Sequence, residues 1–353
     1  MSSISIEKVA GSVNIAVDAM GGDRGPQEVA RGVIAAAQQD SHHYFLVGDP
    51  DLLNPVLSAS RPHPKNVEIV RASEVIEMRE QPTTAFKRKP NASIVVAARL
   101  VKEKQADGLV SIGNTGAAMA VSMLTLGRIK GIDRPAIAAP IPTSKGTVVL
   151  LDAGATVDCD PNNLYEFAVM GTVYSEKIFG VERPRIGLLA NGEESSKGND
   201  LVKRTHALFQ QAAIDNPHFD FVGNVEGRDV FRGAADVIVC DGFIGNVFLK
   251  TGEGTAEMLL QMLKNELTSS VWLRTLSAPL RPALRRVRKH IDYAEHGGAP
   301  LLGVNGICVI GHGRSGAYAI VNACRVAEQA IQQNMLETIR KRICLAPSPP
   351  PLV

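Results

Sequence analysis

Val13-Asn14-Ile15-Ala16-Val17, running straight into Asp18-Ala19-Met20-Gly21-Gly22-Asp23, is the stretch that decides the fold. A short apolar run bounded by turn formers reads as a buried strand. Two glycines and two aspartates follow, and a helical period begins at about Pro26. The pattern recurs five times downstream. Residues 108–112 lead into Gly113-Asn114-Thr115-Gly116 and an Ala/Met-rich helix, and residues 148–151 into Asp152-Ala153-Gly154 and a helix from about Asn162. Residues 186–190 lead into Asn191-Gly192-Glu193-Glu194 and a helix from about Asn199, and residues 237–240 into the turn Asp241 to Asn246 and a helix. Residues 307–310 lead into Gly311-His312-Gly313-Arg314-Ser315-Gly316 and the last long helix.

Strands alternating with helices predict a three-layer αβα fold with a mostly parallel sheet covered on both faces. Ligands bind such sheets outside the carboxyl ends of the strands. The six turns are expected there, on one sheet edge. A glycine-rich turn lets backbone approach a ligand, and the free N–H groups of the following helical turn face an anion. The repetition is one of supersecondary units and not of a solenoid sequence repeat.

The chain has 353 residues, enough for two or three domains or one large α/β unit. Hydrophobic residues make up 45% and charged residues 21%, ordinary for a globular protein with a sizeable core. The formal net charge of +2 gives no global drive toward nucleic acid or membrane, so such contact needs a local patch. Cys159, Cys240, Cys308, Cys324 and Cys344 form no CxxC pair, and several sit in apolar runs, which reads as reduced thiols in a cytoplasmic protein. No run of about 18 apolar residues predicts a membrane span. Residues 1–12 are expected to form a flexible N-terminus, and residues 346–353, with four prolines, a disordered tail. Residues 13–345 then form one catalytic α/β unit, its division into two subdomains left open.

One segment departs from the pattern. Residues 256–290 read as a helical insertion interrupted by Pro279 and Pro282, with no acidic residue between Glu266 and Asp292. Its bases include Arg274, Arg281, Arg285, Arg286, Arg288 and Lys289. Its apolar side includes Leu276 and Trp272, the one tryptophan of the chain. A basic amphipathic segment of this kind fits a membrane surface, an acidic partner or a second subunit.

Gly311 to Gly316 matches the dinucleotide spacing G-x-G-x-x-G, but the helix after it runs nearly to the end of the chain. No later strand carries the ribose-binding acid, so the spacing fits a phosphate or acyl site better than NAD. There is no Walker A sequence, no nucleophile elbow around Ser315 and no His/Cys cluster of metal-ligand spacing, so neither metal nor cofactor is expected. His42-His43 reads as surface or turn. His312 stands out because it lies inside a glycine loop at a helix start.

Taken in chain order, these motifs resemble the bacterial phosphate acyltransferases of phospholipid synthesis. The resemblance rests on Ile15 to Asp23, Ser111 to Ala117, Leu151 to Gly154, Asn191 to Glu194 with Lys197 to Asn199, and Gly223 to Asp229. It continues through Asp241 to Val247 with Lys250, Gly297 to Gly303, and His312 to Ser315. Thr156 stands where the pattern expects Asn, and Ser195-Ser196 differ from it before Lys197. The resemblance implies a fold like isocitrate and isopropylmalate dehydrogenases and phosphate acetyltransferase. It implies a homodimer that transfers an acyl group from acyl carrier protein to inorganic phosphate. A membrane-bound glycerol-3-phosphate acyltransferase would consume the acyl phosphate, which suits a cytoplasmic enzyme with peripheral membrane contact.

Phosphate is already an oxygen nucleophile and a thioester an activated donor, so this chemistry needs positioning and oxyanion donors. His312, Lys197 and Asp18 are the candidate catalytic residues. Gly21, Gly22, Asp23, Asn114, Thr115, Gly116, Asp152, Asn191, Glu193, Asn224, Asp241, Asn246, Lys250, Gly313 and Ser315 are the candidate substrate and phosphate ligands. Trp272, Leu276, Arg281, Arg285 and Arg286 are the candidate membrane or carrier contacts. The rival expectations are a short-chain phosphate transacylase using coenzyme A, a non-catalytic lipid or carrier-binding module, and an NAD-dependent decarboxylating dehydrogenase.

Overall fold

The computed structural model describes residues 11–77, 79–216, 218–291 and 297–345. Residues 1–10, the tail 346–353 and the side chains of Leu276 and Arg285, on which expectations were placed, lie outside the described residues. The chain divides into two compact units, Met1–Ile137 with Glu176–Gly180 and His296–Ser348, and Ala138–Ser175 with Val181–Glu295 and Pro349–Val353.

The first unit is built on seven strands in the order β3-β2-β1-β4-β12-β11-β5. They are β1 (Asn14–Asp18), β2 (His43–Gly48), β3 (Val67–Arg71), β4 (Gly108–Gly113), β5 (Ala136–Ile137), β11 (Ala299–Leu302) and β12 (Ile307–His312). The five strands from β3 to β12 are parallel, and β11 runs antiparallel to both its neighbours. β4 is buried at every position and β1 at all but its first, the signature of parallel strands covered on both faces. The helices are α1 (Pro26–Ala37), α2 (Pro50–Ala59), α3 (Pro82–Arg88), α4 (Ser93–Lys102), α5 (Thr115–Leu126), α12 (Ala317–Gln332) and α13 (Met335–Leu345). α1 packs on α12, where a Cβ at Gly32 would stand 2.6 Å from Ile320, so the helices meet at a residue without a side chain. The chain steps outward from β1 to β2 to β3, then returns to the other side of β1 as β4. The β1/β4 boundary is therefore the point where loops leave in opposite directions.

The second unit is a five-stranded sheet in the order β6-β7-β10-β8-β9. Its strands are β6 (Ala139–Thr143), β7 (Gly146–Leu151), β8 (Arg185–Ala190), β9 (Asp220–Glu226) and β10 (Val237–Val239). β6 and β7 form an antiparallel hairpin, and the remaining pairs are parallel. Its helices are α6 (Pro161–Phe179), α7 (Asp200–Asp215), α8 (Gly227–Val230), α9 (Gly242–Thr268), α10 (Val271–Leu276) and α11 (Arg281–Ile291).

The mostly parallel α/β reading matches this architecture, but the six glycine-rich turns do not share one edge. Three follow β1, β4 and β12, and three follow β7, β8 and β10. A buried apolar run reveals that a strand has neighbours without naming them. The last long helix is two, broken at Asn334, whose φ of 51° asparagine tolerates better than most residues. The segment at Asp241 to Asn246 is not a loop: only Asp241 precedes α9, and its side chain accepts the Ile244 N–H. Gly242 and Gly245 serve close packing instead, since a Cβ at Gly245 would stand 1.8 Å from the Asp152 carbonyl oxygen. α9 runs unbroken through residue 256, where the basic insertion was expected to start. His42, expected at the surface, is only 6% exposed.

Candidate active site

β1, β4 and β12 are adjacent, so the turns that follow them converge at one end of the first unit's sheet. The Asp23 N–H donates to the Gly313 carbonyl oxygen at 2.9 Å, joining the first turn to the last. Gly113, with φ of +153°, lies so close to the first turn that a Cβ would stand 2.1 Å from the Gly21 carbonyl oxygen. A Cβ at Gly21 would meet the Ile112 carbonyl oxygen at 2.6 Å. Glycine is required at both places because backbone passes backbone at van der Waals distance. The meeting point is the β1/β4 switch, where an open α/β sheet leaves a crevice.

The helices after the six turns differ in what sits at their N-termini. α1 and α7 carry Glu28 and Asp200 in the first turn, and Asp160 Oδ1 accepts the Asn163 N–H in α6. α9 is capped by Asp241. The glycine-rich loop before α12, the best match to a phosphate fingerprint, is occupied from within the unit: Glu28 Oε1 accepts the Ala317 N–H at 3.0 Å. That hydrogen bond holds the Glu28 carboxyl below its ordinary range. Only α5 starts without a carboxylate. Its cap is the neutral Asn114, whose Oδ1 accepts the Ala117 N–H at 3.0 Å. The N–H groups of Thr115 and Gly116 find no acceptor among the described residues. A helix start with free donors and no carboxylate accepting from them is the place for an anion.

Asp18 lies beneath these turns and is 3% exposed. Its Oδ1 accepts the Met20 N–H at 3.2 Å and its Oδ2 the Ser111 hydroxyl at 2.9 Å, with Ser93 as a further donor. Burial outweighs these bonds and raises the carboxyl above its ordinary value. Asp18, Gly21, Ser93, Ser111 and Asn114 enclose a cavity of about 10 Å³, the room of one water. Asp18 thus supports the first turn from inside and reaches a substrate only through that cavity. His312, by contrast, is exposed at the end of β12. Its Nδ1 accepts the Arg314 N–H at 3.3 Å, so the neutral ring carries its proton on Nε2. Ser315, expected to touch substrate, is buried at 4% exposure beneath the loop.

In the second unit, Asp152 is fully buried and its carboxylate fills its own turn. Oδ1 accepts from the Gly154 and Ala155 N–H groups, and Oδ2 from Ala155 and Thr156, at 2.6 to 3.0 Å. The donors this turn was expected to offer a phosphate are taken by an internal anion. Asp152 holds the loop and is not a phosphate ligand. Asp241 is likewise committed to capping α9, and Asn246 lies over Gly154, 3.4 Å from where its Cβ would be. Lys250 pairs with Glu253 at 2.7 Å within α9, so its charge is already partnered. Asn191 and Glu193 are exposed at the turn after β8. Lys197 ends that turn and is exposed with no ion-pair partner among the described residues. Its stem passes so close to Gly192 that a Cβ there would stand 2.7 Å away. Asp23, back in the first unit, presses its carboxylate against Gly313, 2.7 Å from where its Cβ would be. Cys159 and Cys240 flank Asp152; burial, reinforced by Asp152, pushes the Cys159 thiol up to about 12 and Cys240 well above its ordinary value. Neither is a thiolate nucleophile at neutral pH.

Residues 13–338 match the family described as "Fatty acid synthesis protein". The chain is 52% identical over 332 residues to a phosphate acyltransferase of Pelotomaculum thermopropionicum, covering 94% of this chain and 95% of that protein. It is also 52% identical to a phosphate acyltransferase of Heliobacterium modesticaldum, over 94% of this chain and 98% of that one. This chain belongs to the phosphate acyltransferase family. Among solved structures it is similar to a phosphotransacetylase from Streptococcus pyogenes, with a TM-score of 0.63 and 16% identity over 92% of this chain and 95% of that one. At that identity the likeness speaks for the fold alone.

The family motifs therefore fall into two groups. Those after β1, β4 and β12 converge at the β1/β4 switch, while Gly297 to Gly303 lies along β11; those of the second unit surround Asp152 and the turn ending at Lys197. Reading the sequence missed Ser93, Ser111 and Glu28. Ser111 was legible, since its hydroxyl interrupts the apolar run of β4 just before a glycine turn. Glu28 was not, because its target lies 289 residues away. Among the described residues one group, Asp40, His42 and Glu328, has ligand atoms close enough for a metal. There His42 Nδ1 accepts the Val13 N–H while Nε2 lies 2.8 Å from Glu328, so the imidazole is a hydrogen-bonded strut with its proton on Nε2.

Proposed function

We propose that this enzyme transfers an acyl group from acyl-acyl carrier protein to inorganic phosphate, releasing acyl phosphate and free carrier for phospholipid synthesis. Family membership over residues 13–338 supports the reaction. The observation that carries the site is the α5 N-terminus, which alone among the six helix starts offers free donors without a carboxylate. Thr115 and Gly116 N–H groups hold the phosphate in this reading. A phosphate oxygen attacks the thioester carbonyl carbon, the carbon–oxygen bond forms, and the carbon–sulfur bond breaks as the tetrahedral intermediate collapses. Holding the reactants together supplies roughly 7–11 kcal/mol. Each backbone donor aimed at the oxyanion supplies roughly 3 kcal/mol. The turns at Gly21-Gly22 and His312-Gly313 are the donors assigned to that role. His312 Nε2–H donates a hydrogen bond to the departing thiolate and keeps its proton. In the second unit Lys197 offers an exposed cation to an anionic substrate group, and in the first unit Asp18 fixes the first turn from below.

The enzyme works as a homodimer in this reading and rests at the membrane surface through α10 and α11. A membrane-bound glycerol-3-phosphate acyltransferase there takes up the acyl phosphate. No helix among the described residues is long and apolar enough to cross a membrane. The test incubates purified protein with long-chain acyl-carrier protein and phosphate and measures acyl phosphate and released carrier thiol. Phosphate-dependent release of both is expected. Thiol release independent of phosphate overturns the reading, and release from acyl-coenzyme A but not from acyl-carrier protein replaces it with a short-chain transacylase.

A further inference from the structure

His206 in α7 is 6% exposed and belongs to none of the motifs above. Its Nδ1 lies 2.9 Å from Asn224 Oδ1 on β9. The other end of that amide is committed: Asn224 Nδ2 donates to the Glu194 carbonyl oxygen at 2.9 Å. The amide therefore presents its oxygen to the ring, and His206 Nδ1 carries the proton. Nε2 is then a bare acceptor, and it is buried without a hydrogen-bond partner among the described residues. The ring is wedged edge-on against Phe221, whose own neighbour is Phe209. The apolar cluster thus fixes the imidazole, and the imidazole fixes which way Asn224 faces.

The Glu194 carbonyl oxygen also accepts the Lys197 N–H at 3.0 Å. One carbonyl thus ties the base of the turn to β9 through Asn224 and closes the turn onto Lys197. Without the His206 donor, the Asn224 oxygen is buried unsatisfied and the amide gains by rotating, which releases Glu194. We propose that His206 is a positioning residue: through Asn224 and the Glu194 carbonyl it sets the turn that presents the Lys197 ammonium to an anionic substrate group. This rests on the reading of Lys197 as a substrate-facing cation. The buried Nε2 without a donor is the signature of a histidine kept for one specific hydrogen bond, since a leucine would satisfy the same apolar cluster at no polar cost.

The test compares His206→Leu, His206→Asn and Lys197→Ala in the full-length enzyme, alone and as His206→Leu with Lys197→Ala. Asparagine places an amide donor where Nδ1 stands, and leucine keeps bulk without a donor. KM for phosphate, KM for acyl-carrier protein and kcat are measured, with thermal unfolding followed alongside. The expected result is a KM raised about threefold to tenfold by His206→Leu for whichever substrate Lys197→Ala affects. That result comes with kcat nearly unchanged, with recovery in His206→Asn, and with no further rise in the double variant. A KM that is unchanged in His206→Leu, or kcat and KM effects that simply add to those of Lys197→Ala, overturns the proposal and leaves the reading of Lys197 standing. If Lys197→Ala itself moves neither KM, the cation reading fails and the proposal with it.

Discussion

Asp18 shows how one side chain is read differently once its surroundings are known. In the sequence it is an acid at a strand end beside two glycines, a natural candidate for proton transfer. In the fold it is buried and hydrogen-bonded, with burial the largest influence on its carboxyl, which is raised above the ordinary value of 3.8. A raised folded value means the folded state holds its proton longer than the unfolded chain does. The stabilising contribution of this group is then present below pH 3.8 and lost as pH rises through the folded value, leaving a cost at neutral pH. Asp18→Asn removes that cost while its amide oxygen still accepts the Met20 N–H, and the Ser111 and Ser93 hydroxyls can rotate to accept. The variant is expected to unfold at a higher temperature than the parent at pH 7, with the difference shrinking toward pH 4. Its kcat/KM is expected to stay within about threefold, since only positioning bonds are altered. A loss of about a hundredfold or more with the fold intact returns Asp18 to the chemistry itself.

At the scale of elements, the glycine turns of this fold are distinguished by their helix starts. Five of the six have an acidic side chain at the helix N-terminus, which in α6, α9 and α12 accepts a backbone N–H, and α5 is the one without a carboxylate. Glu28 is the clearest case, because α1 supplies it across the sheet end to α12. Its folded carboxyl lies below 4.5, so its contribution is present above that value and is lost as pH falls through the folded one. Glu28→Ala is expected to destabilise the protein by about 1 kcal/mol, the usual worth of a cap. Glu28→Gln keeps an acceptor and recovers most of that. Thermal unfolding at pH 7 and pH 4 checks both, and equal losses in the two variants would show that the cap is not what Glu28 provides. Although the turn expected at Asp241 to Asn246 is helix after its first residue, the six strand–turn–helix units were plain in the sequence because they are local patterns. Which turns meet was not, since β12 joins β4 across nearly two hundred residues and no spacing encodes that pairing. Nor did the sequence show that Asp152 would occupy its own turn, which depends on three N–H groups curling around one carboxylate.

At the scale of the whole molecule, the element with least internal support is α9. α9 is 27 residues, about 40 Å long, yet only Gly242 and Gly245 in its first turn are buried. Met258, Leu259, Met262 and Leu263 are exposed along it, and Trp272 beyond it is 79% exposed. The α9 stripe repeats at three and four residues, the spacing of a face that packs on another helix, and a second copy of the chain is the partner the homodimer reading supplies. Trp272 lies past that stripe, in a stretch with Arg281 and Arg286 exposed on α11, and no acidic residue separates them. An exposed indole beside exposed guanidinium groups suits an anionic lipid surface, where the ring enters the interface and the bases face phosphates. The two roles separate by mutation. Trp272→Ala is expected to weaken flotation with vesicles containing anionic lipid by about tenfold, with sedimentation still that of a dimer and acyl-phosphate formation in solution unchanged. Raising salt weakens binding of the parent further, because the guanidinium contribution is screened. Met258→Glu with Met262→Glu is expected to do the reverse, yielding monomers. Unchanged flotation of the tryptophan variant removes the membrane reading, and monomers from that variant assign α10 to the subunit contact instead.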